Sequence, residues 1–315
     1  MPLKKSVHRG LKRFYFCFLS ALIVISCLCS VFTVGVGAGG DQNGRLTVYV
    51  VNYPLKYFAE RIAGEHANVV LPVPADEDPA FWMPDRKTIS DYQRADLILL
   101  NGANYAKWVN KVTLPQFRLV DTSAELEERF ISVEGAVTHT HGPTGEHAHE
   151  GIAFTTWIDF ELATEQAKAI MKALGRKKPA LRDTFQSNFK ALEKDLLTID
   201  RDIMAIVANK PEQLFVASHP VYEYFARRYG LNIISVQWEP EQIPSEEQWV
   251  ELQSILKDHP AKWMIWEGEP DTVSVARLES MGVNSFVFDP CGNTPGQSDF
   301  LSVMRKNVEH FKLTF

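Results

Sequence analysis

Beyond its first 38 residues the chain holds one cysteine. Three of its four thiols, Cys17, Cys27 and Cys29, lie in the N-terminal segment, which leaves Cys291 alone. One thiol cannot close an intramolecular disulfide, so the folded part must stand on its buried core. Cys291 itself reads as a packed, inert thiol rather than a nucleophile. Excess positive charge is also lacking: 33 lysines and arginines face 39 acids, for a formal net charge of −6. That balance offers no basic field for nucleic acid. Absent too are Gly-X-Ser-X-Gly, His-Glu-X-X-His and a phosphate loop ending in lysine, so the chain is not read as an enzyme. The enzyme alternative would use His219, Glu267 and Asp289 as a hydrolytic metal site with open positions.

What is present begins with Lys4, Lys5, Arg9, Lys12 and Arg13, followed by an apolar run from Phe14 to Val36 and the small residues Gly37 to Gly40. This order describes a secretory signal over residues 1–38. Two rivals are an uncleaved anchor and a lipobox, Val24-Ile25-Ser26-Cys27, with lipid on Cys27. All three imply export, either to the periplasm or to a lipid-anchored position on the extracytoplasmic membrane face. Loss of these five cations, with no anion among them, takes the net charge from −6 to −11.

Short apolar runs then alternate with amphipathic ones, the pattern of an α/β fold. Strands are expected at Leu46–Asn52, Val69–Val73, Leu97–Asn101 and Phe117–Asp121, and again at Gln213–Ser218, Asn232–Val236, Trp263–Trp266 and Ser285–Phe288. Helices are expected from Pro54, before Ala95, at Val221–Tyr229 ending on Gly230, and at Trp249–Leu256. Between the halves, Leu181, Phe185, Phe189, Leu192, Leu196, Ile199, Ile203 and Ile206 recur every three or four residues. That spacing predicts one amphipathic helix, about 45 Å long for some 30 residues. The expectation is two parallel-sheet lobes, 45–178 and 210–315, joined by a long rigid helix at 179–209 with a ligand cleft between them.

Residues 138–150 read Thr-His-Thr-His-Gly-Pro-Thr-Gly-Glu-His-Ala-His-Glu. His139, His141, His147 and His149 form two His-X-His pairs, and imidazole suits zinc, copper or nickel. Gly142, Pro143 and Gly145 argue against regular structure, so the segment is expected to be a loop. A solvated polar loop is the plainer reading. Four histidines in so few positions favour metal contact, with accessory capture rather than the main site, because ordering a loop costs chain entropy. His8, His66, His259 and His310 carry no pattern and are read as surface residues.

Several stretches resemble the zinc and manganese solute-binding proteins of ABC importers, the cluster A-I type that includes the zinc-uptake periplasmic protein. They are Tyr53-Pro54-Leu55 with Phe58, Asp96 to Gly102, Trp157-Ile158-Asp159, Ser218-His219 with Tyr224 to Leu231, Trp266-Glu267, and Phe288-Asp289-Pro290. The resemblance implies two α/β lobes joined by one helix, with a metal between them held by three histidines and a carboxylate. It also implies an importer permease as partner, and the protein is expected to be a monomer that binds no nucleic acid. Carried over, His219 and Asp289 are two of the ligands, and Glu267 is an additional oxygen donor. Ala80 and Thr155 stand where the family has its other two histidines, and neither can ligate zinc. Asp76, Glu77 or Asp78 could replace them, in a harder site that tolerates manganese as well as zinc. The favoured replacement is the loop histidines. A third alternative is a cleft for a chelated or organic ligand lined by Trp82, Trp157, Trp238 and Trp266.

Overall fold

The computed structural model describes residues 44–133, 138–140, 146–148 and 151–315, with backbone alone for 138–140 and 146–148. The signal or anchor expected over 1–38 lies outside the described residues. No described helix is long and apolar enough to cross a membrane.

The first lobe carries β1 (Leu46–Val50), α1 (Tyr53–Ala63), β2 (Ala67–Val70), α2 (Arg86–Arg94), β3 (Leu97–Leu100) and β4 (Leu119–Asp121). Its four strands are parallel in the order β2-β1-β3-β4. Asn52 starts α1 by accepting Leu55 N–H at 3.2 Å, with Pro54 in the first turn, where a missing N–H costs nothing. Gly102 ends the turn after β3 with φ +78, and a Cβ there would lie 2.4 Å from Asp121 Oδ1. Only glycine fits that approach.

A short pair, β5 (Ser132–Val133) with β8 (Gly151–Ile152), forms the base of the His-rich segment. Within it, β6 (Thr138–Thr140) pairs antiparallel with β7 (Glu146–Ala148), placing His139 opposite His147. The expected structureless loop is corrected here: Gly142, Pro143 and Gly145 fall between the two strands and not within either. Helix α3 (Phe160–Lys177) follows, and was not expected. Its buried side combines Leu162, Ile170 and Leu174 with Ala163, Ala167 and Ala173, small residues that permit close packing on α1 and α4.

A 3-10 turn at Pro179–Leu181 leads into α4 (Arg182–Val207), 26 residues and about 39 Å long. Phe185, Phe189, Leu192, Leu196, Ile199, Ile203 and Ile206 are all buried along it. The second lobe holds β9 (Leu214–Ala217), α5 (Glu223–Tyr229), β10 (Asn232–Ser235), α6 (Glu246–Asp258), β11 (Trp263–Trp266), α7 (Thr272–Ser280), β12 (Asn284–Val287) and α8 (Phe300–Lys312). Its parallel order, β10-β9-β11-β12, repeats the topology of the first lobe. Gly230 caps α5 at φ +65, whereas α7 and α8 were not expected from the sequence.

One apolar cluster runs through the first lobe, α4 and the facing side of the second sheet. A second cluster, containing Trp238, Trp249, Trp266, Leu252 and Leu278, fills the other face of that sheet. His259 is not a surface residue: it is buried, with Nε2 2.8 Å from Phe215 O. His310 is half-buried and places Nδ1 3.1 Å from Val287 O.

The apolar stripe of α4 contains one charge. Asp200 is buried and receives Arg228 Nε at 3.0 Å, Arg228 Nη2 at 2.7 Å and Tyr229 OH at 2.9 Å. Its hydrogen bonds are the main cause that holds the Arg228 guanidinium above its ordinary pKa. Arg228 also reaches Glu161 in the first turn of α3 at 3.0 Å, so one side chain joins α3, α4 and α5. Arg228→Met leaves the Asp200 carboxylate buried without its cation and is expected to destabilise the fold by about 3 kcal/mol in urea unfolding. Adding Asp200→Leu should recover most of that loss, since it removes the orphaned charge.

Candidate functional site

A cleft of about 420 Å³ opens between the lobes. Parallel α/β sheets gather ligands beyond the carboxyl ends of their strands, where the strand order reverses. In the second lobe that switch point lies between β9 and β11, and His219 and Glu267 follow these two strands directly. Asp289 follows β12.

His219 is 2% exposed, and its Nδ1 stands 3.8 Å from Glu267 Oε1. Burial pushes the Glu267 carboxyl well above its ordinary pKa, and the carboxylates of Glu239, Asp78, Asp289 and Glu241 push it further. Asp289 is raised as well, chiefly by burial, against the opposing effects of Cys291 N–H and Lys306. Its Oδ1 accepts Cys291 N–H at 2.6 Å. Asn307 fixes the backbone at Asp289, accepting from its N–H at 3.0 Å and donating to its carbonyl at 2.7 Å. Cys291 is buried at a left-handed φ of +59. Burial first and Asp289 second push its thiol up, which keeps it inert at neutral pH.

The first lobe contributes Asp76, Glu77 and Asp78 from the loop after β2, with Tyr105, Phe154, Thr155 and Trp157 as a wall. Tyr105 packs edge-on to Phe154 at 5.3 Å and to Trp157 at 5.5 Å. Thr155 lines the cleft but donates its hydroxyl to Val221 O at 2.5 Å. Ala80 is fully buried and does not line the cleft. Asp78 caps its own turn, with Oδ1 accepting Ala80 N–H at 2.8 Å.

The structure thus brings His219, Glu267, Asp289, Asp76, Glu77 and Asp78 to one cleft. It adds Glu239 and Glu241, which sequence reasoning missed. Their signal was present: they follow β10 as His219 follows β9. No lysine or arginine lines the cleft among the described residues. Also among the described residues, no three His, Cys, Asp or Glu side chains are gathered closely enough to hold a metal ion. The side chains of His139, His141, His147 and His149 lie outside the described residues. The four-tryptophan pocket is corrected: Trp157 lines the cleft and donates Nε1–H to Pro290 O at 2.7 Å, while Trp82, Trp238 and Trp266 are buried in the cores. Alternate residues of a strand point to opposite faces, so an aromatic near a strand end need not reach the cleft.

The family model for the periplasmic zinc-uptake complex component A, ZnuA, matches residues 48–313. The zinc-binding lipoprotein AdcA of Streptococcus pneumoniae is 25% identical over 310 residues, covering 93% of this chain and 60% of the relative. The high-affinity zinc uptake system protein ZnuA of Bacillus subtilis is 23% identical over 310 residues, covering 92% of this chain and 95% of the relative. The Zn(II)-bound ZnuA-like domain of the pneumococcal AdcA superposes with a TM-score of 0.73 at 22% identity, over 86% of this chain and 99% of that one. The chain spans about 60% of the length of the streptococcal relatives. Two parallel-sheet lobes on one long helix are the architecture these structures share with it. The match across nearly the whole folded part establishes that the chain belongs to the ZnuA family, zinc-uptake complex component A.

Proposed function

We propose that this protein is an exported solute-binding protein that captures a divalent transition metal, zinc, and delivers it to the membrane permease of an ABC importer. The observation that carries the reading is the cleft itself: one buried imidazole and seven carboxylates from both lobes, with no cation among the described lining residues. His219 supplies nitrogen, and Asp289 and Glu267 supply oxygen. Asp76, Glu77 and Asp78 supply oxygen in place of the histidines that the family has at Ala80 and Thr155. Manganese is tolerated by so oxygen-rich a set. The histidines of 138–150 act as accessory capture and complete the site from a base a few residues before Thr155. The relatives are named as zinc-binding or zinc-uptake proteins, which supports zinc as cargo and an extracytoplasmic location. The protein works as a monomer, binds no nucleic acid and catalyses no reaction.

A cleft for a chelated metal is the second reading, favoured by volume. An ion with six waters fills about 180 Å³ at 30 Å³ per water, less than half of the space present.

Titration calorimetry of the chelator-stripped protein with zinc, manganese and copper tests both readings. Zinc is expected to bind. His219→Ala should weaken the tightest site at least about tenfold, the scale of one lost inner ligand or its support. Deletion of 138–150 should also lower affinity, and an unchanged isotherm would reject compensation by that segment. Failure of every bare ion, with uptake of a small zinc complex, would favour the second reading.

The raised carboxyls set the sign of a pH effect. A carboxyl whose pKa is higher in the folded state binds more protons there, so metal-free stability falls as pH rises from the unfolded value through the folded one. Zinc competes with the same protons, so its affinity should fall as pH is lowered through that window. Glu267→Gln removes one charge from the cluster and is expected to raise the metal-free Tm at pH 7 by about 2 °C or more. It should also flatten the dependence of Tm on pH. A lowered Tm in scanning calorimetry would show that Glu267 is stabilised where it stands.

A further inference from the structure

Asn293 belongs to the loop after Asp289, and its side chain bridges to the first lobe at the edge of the cleft. Its Nδ2 donates to two backbone carbonyls there, Pro74 O at 2.6 Å and Glu77 O at 2.8 Å. Its Oδ1 accepts Thr294 N–H at 2.7 Å. With the oxygen engaged by a donor, the two amide hydrogens are the atoms that must face the carbonyls.

The two sides of this contact differ in stiffness. On the Asn293 side, Asp289 Oδ1 accepts Cys291 N–H, Pro290 O accepts the Trp157 indole at 2.7 Å, and Gly292 O accepts Tyr53 N–H at 2.9 Å. On the other side, residues 74–77 are closed by a long bond, Glu77 N–H to Pro74 O at 3.3 Å, before Asp78 is held by Ala80 N–H and Trp82 N–H, both at 2.8 Å. Asn293 is therefore a fixed donor that holds a loosely closed turn by both of its ends. That turn carries Asp76 and Glu77, with Asp78 next, into the cleft shared with His219, Glu267 and Asp289.

We propose that Asn293 is a positioning residue, a latch that keeps the acidic turn 74–78 over the cleft and so slows the escape of a bound cation. The proposal rests on the metal-capture reading of the same cleft. The latch requires that an ion leaving between the lobes displace this turn, and displacing it breaks both Asn293 bonds. Two neutral hydrogen bonds together correspond to about a tenfold or larger factor in an equilibrium.

Stopped-flow kinetics of zinc association, and of dissociation into excess chelator, provide the test. Asn293→Ala and the similarly sized Asn293→Leu are compared with Arg227→Ala, which cuts another bond between the lobes, from Arg227 Nη1 to Arg129 O. Dissociation should accelerate about tenfold in both Asn293 variants, with association within about twofold of the parent. The Arg227 variant should dissociate as the parent does. Hydrogen exchange at residues 75–82 of the metal-free protein should become faster in the Asn293 variants alone. Unchanged dissociation in both, or equal acceleration in the Arg227 variant, would overturn the latch. If the parent binds no zinc, the metal reading fails separately. The exchange measurement then decides the latch: faster exchange at 75–82 sustains it and unaltered exchange overturns it.

Discussion

The burial of one face of α4 is the interaction on which the rest of this molecule depends. Each lobe is an open parallel sheet whose strand ends present backbone and side chains to whatever faces them. The helix sets what that is. Phe185, Leu192, Leu196 and Ile203 lie fully or almost fully buried along it, and α1, α3 and α8 pack on it from both lobes. A hinge of extended strands would leave the lobes free to open, whereas this helix resists bending along about 39 Å. The Asp200–Arg228 pair adds orientation to that packing, because a charge in an apolar stripe is tolerable only where its partner stands.

A fixed cleft lets electrostatic tension accumulate. Asp76, Glu77, Asp78, Glu239, Glu241, Glu267 and Asp289 share one space with a buried imidazole. Burial raises Glu267 most, and Glu239, Asp78, Asp289 and Glu241 raise it further. Such an arrangement is poor for stability and good for holding a cation, since a divalent ion relieves the repulsion that the empty cleft sustains. With alanine at position 80 and threonine at 155, the polar groups that line the cleft are mostly carboxylate oxygens. Tyr105, Phe154 and Trp157 form the aromatic wall of this space.

Much of the scaffold was legible along the chain. Period-two runs such as Leu-Thr-Val-Tyr-Val and the three-and-four spacing from Phe185 to Ile206 report local geometry directly. What escaped had physical causes. Helix α3 is the exception: it carries Leu162, Ala163, Ala167, Ile170, Ala173 and Leu174 at helical spacing, a stripe present in the sequence but passed over beside the His-rich segment. The breakers Gly142, Pro143 and Gly145 speak against regular structure for the whole segment, although Thr138–Thr140 and Glu146–Ala148 on either side of them in sequence pair as strands. His259 has no sequence neighbour that explains it; its partner is Phe215 O, 44 positions away. Glu239 and Glu241, on either side of Pro240, belong to no motif along the chain, and only the meeting of two lobes makes them cleft residues.

By itself, the sequence determined the α/β alternation, the single rigid connecting helix and the reliance on a core instead of disulfides. These follow from local periodicity and residue chemistry, which need no distant partner. The tertiary structure alone decided which acids face one another, which tryptophan reaches the cleft, that Thr155 is spent on Val221 O, and that Asn293 fastens one lobe to the other. Those are contacts between residues tens to hundreds of positions apart, and their geometry exists only once the helix has set the two sheets face to face.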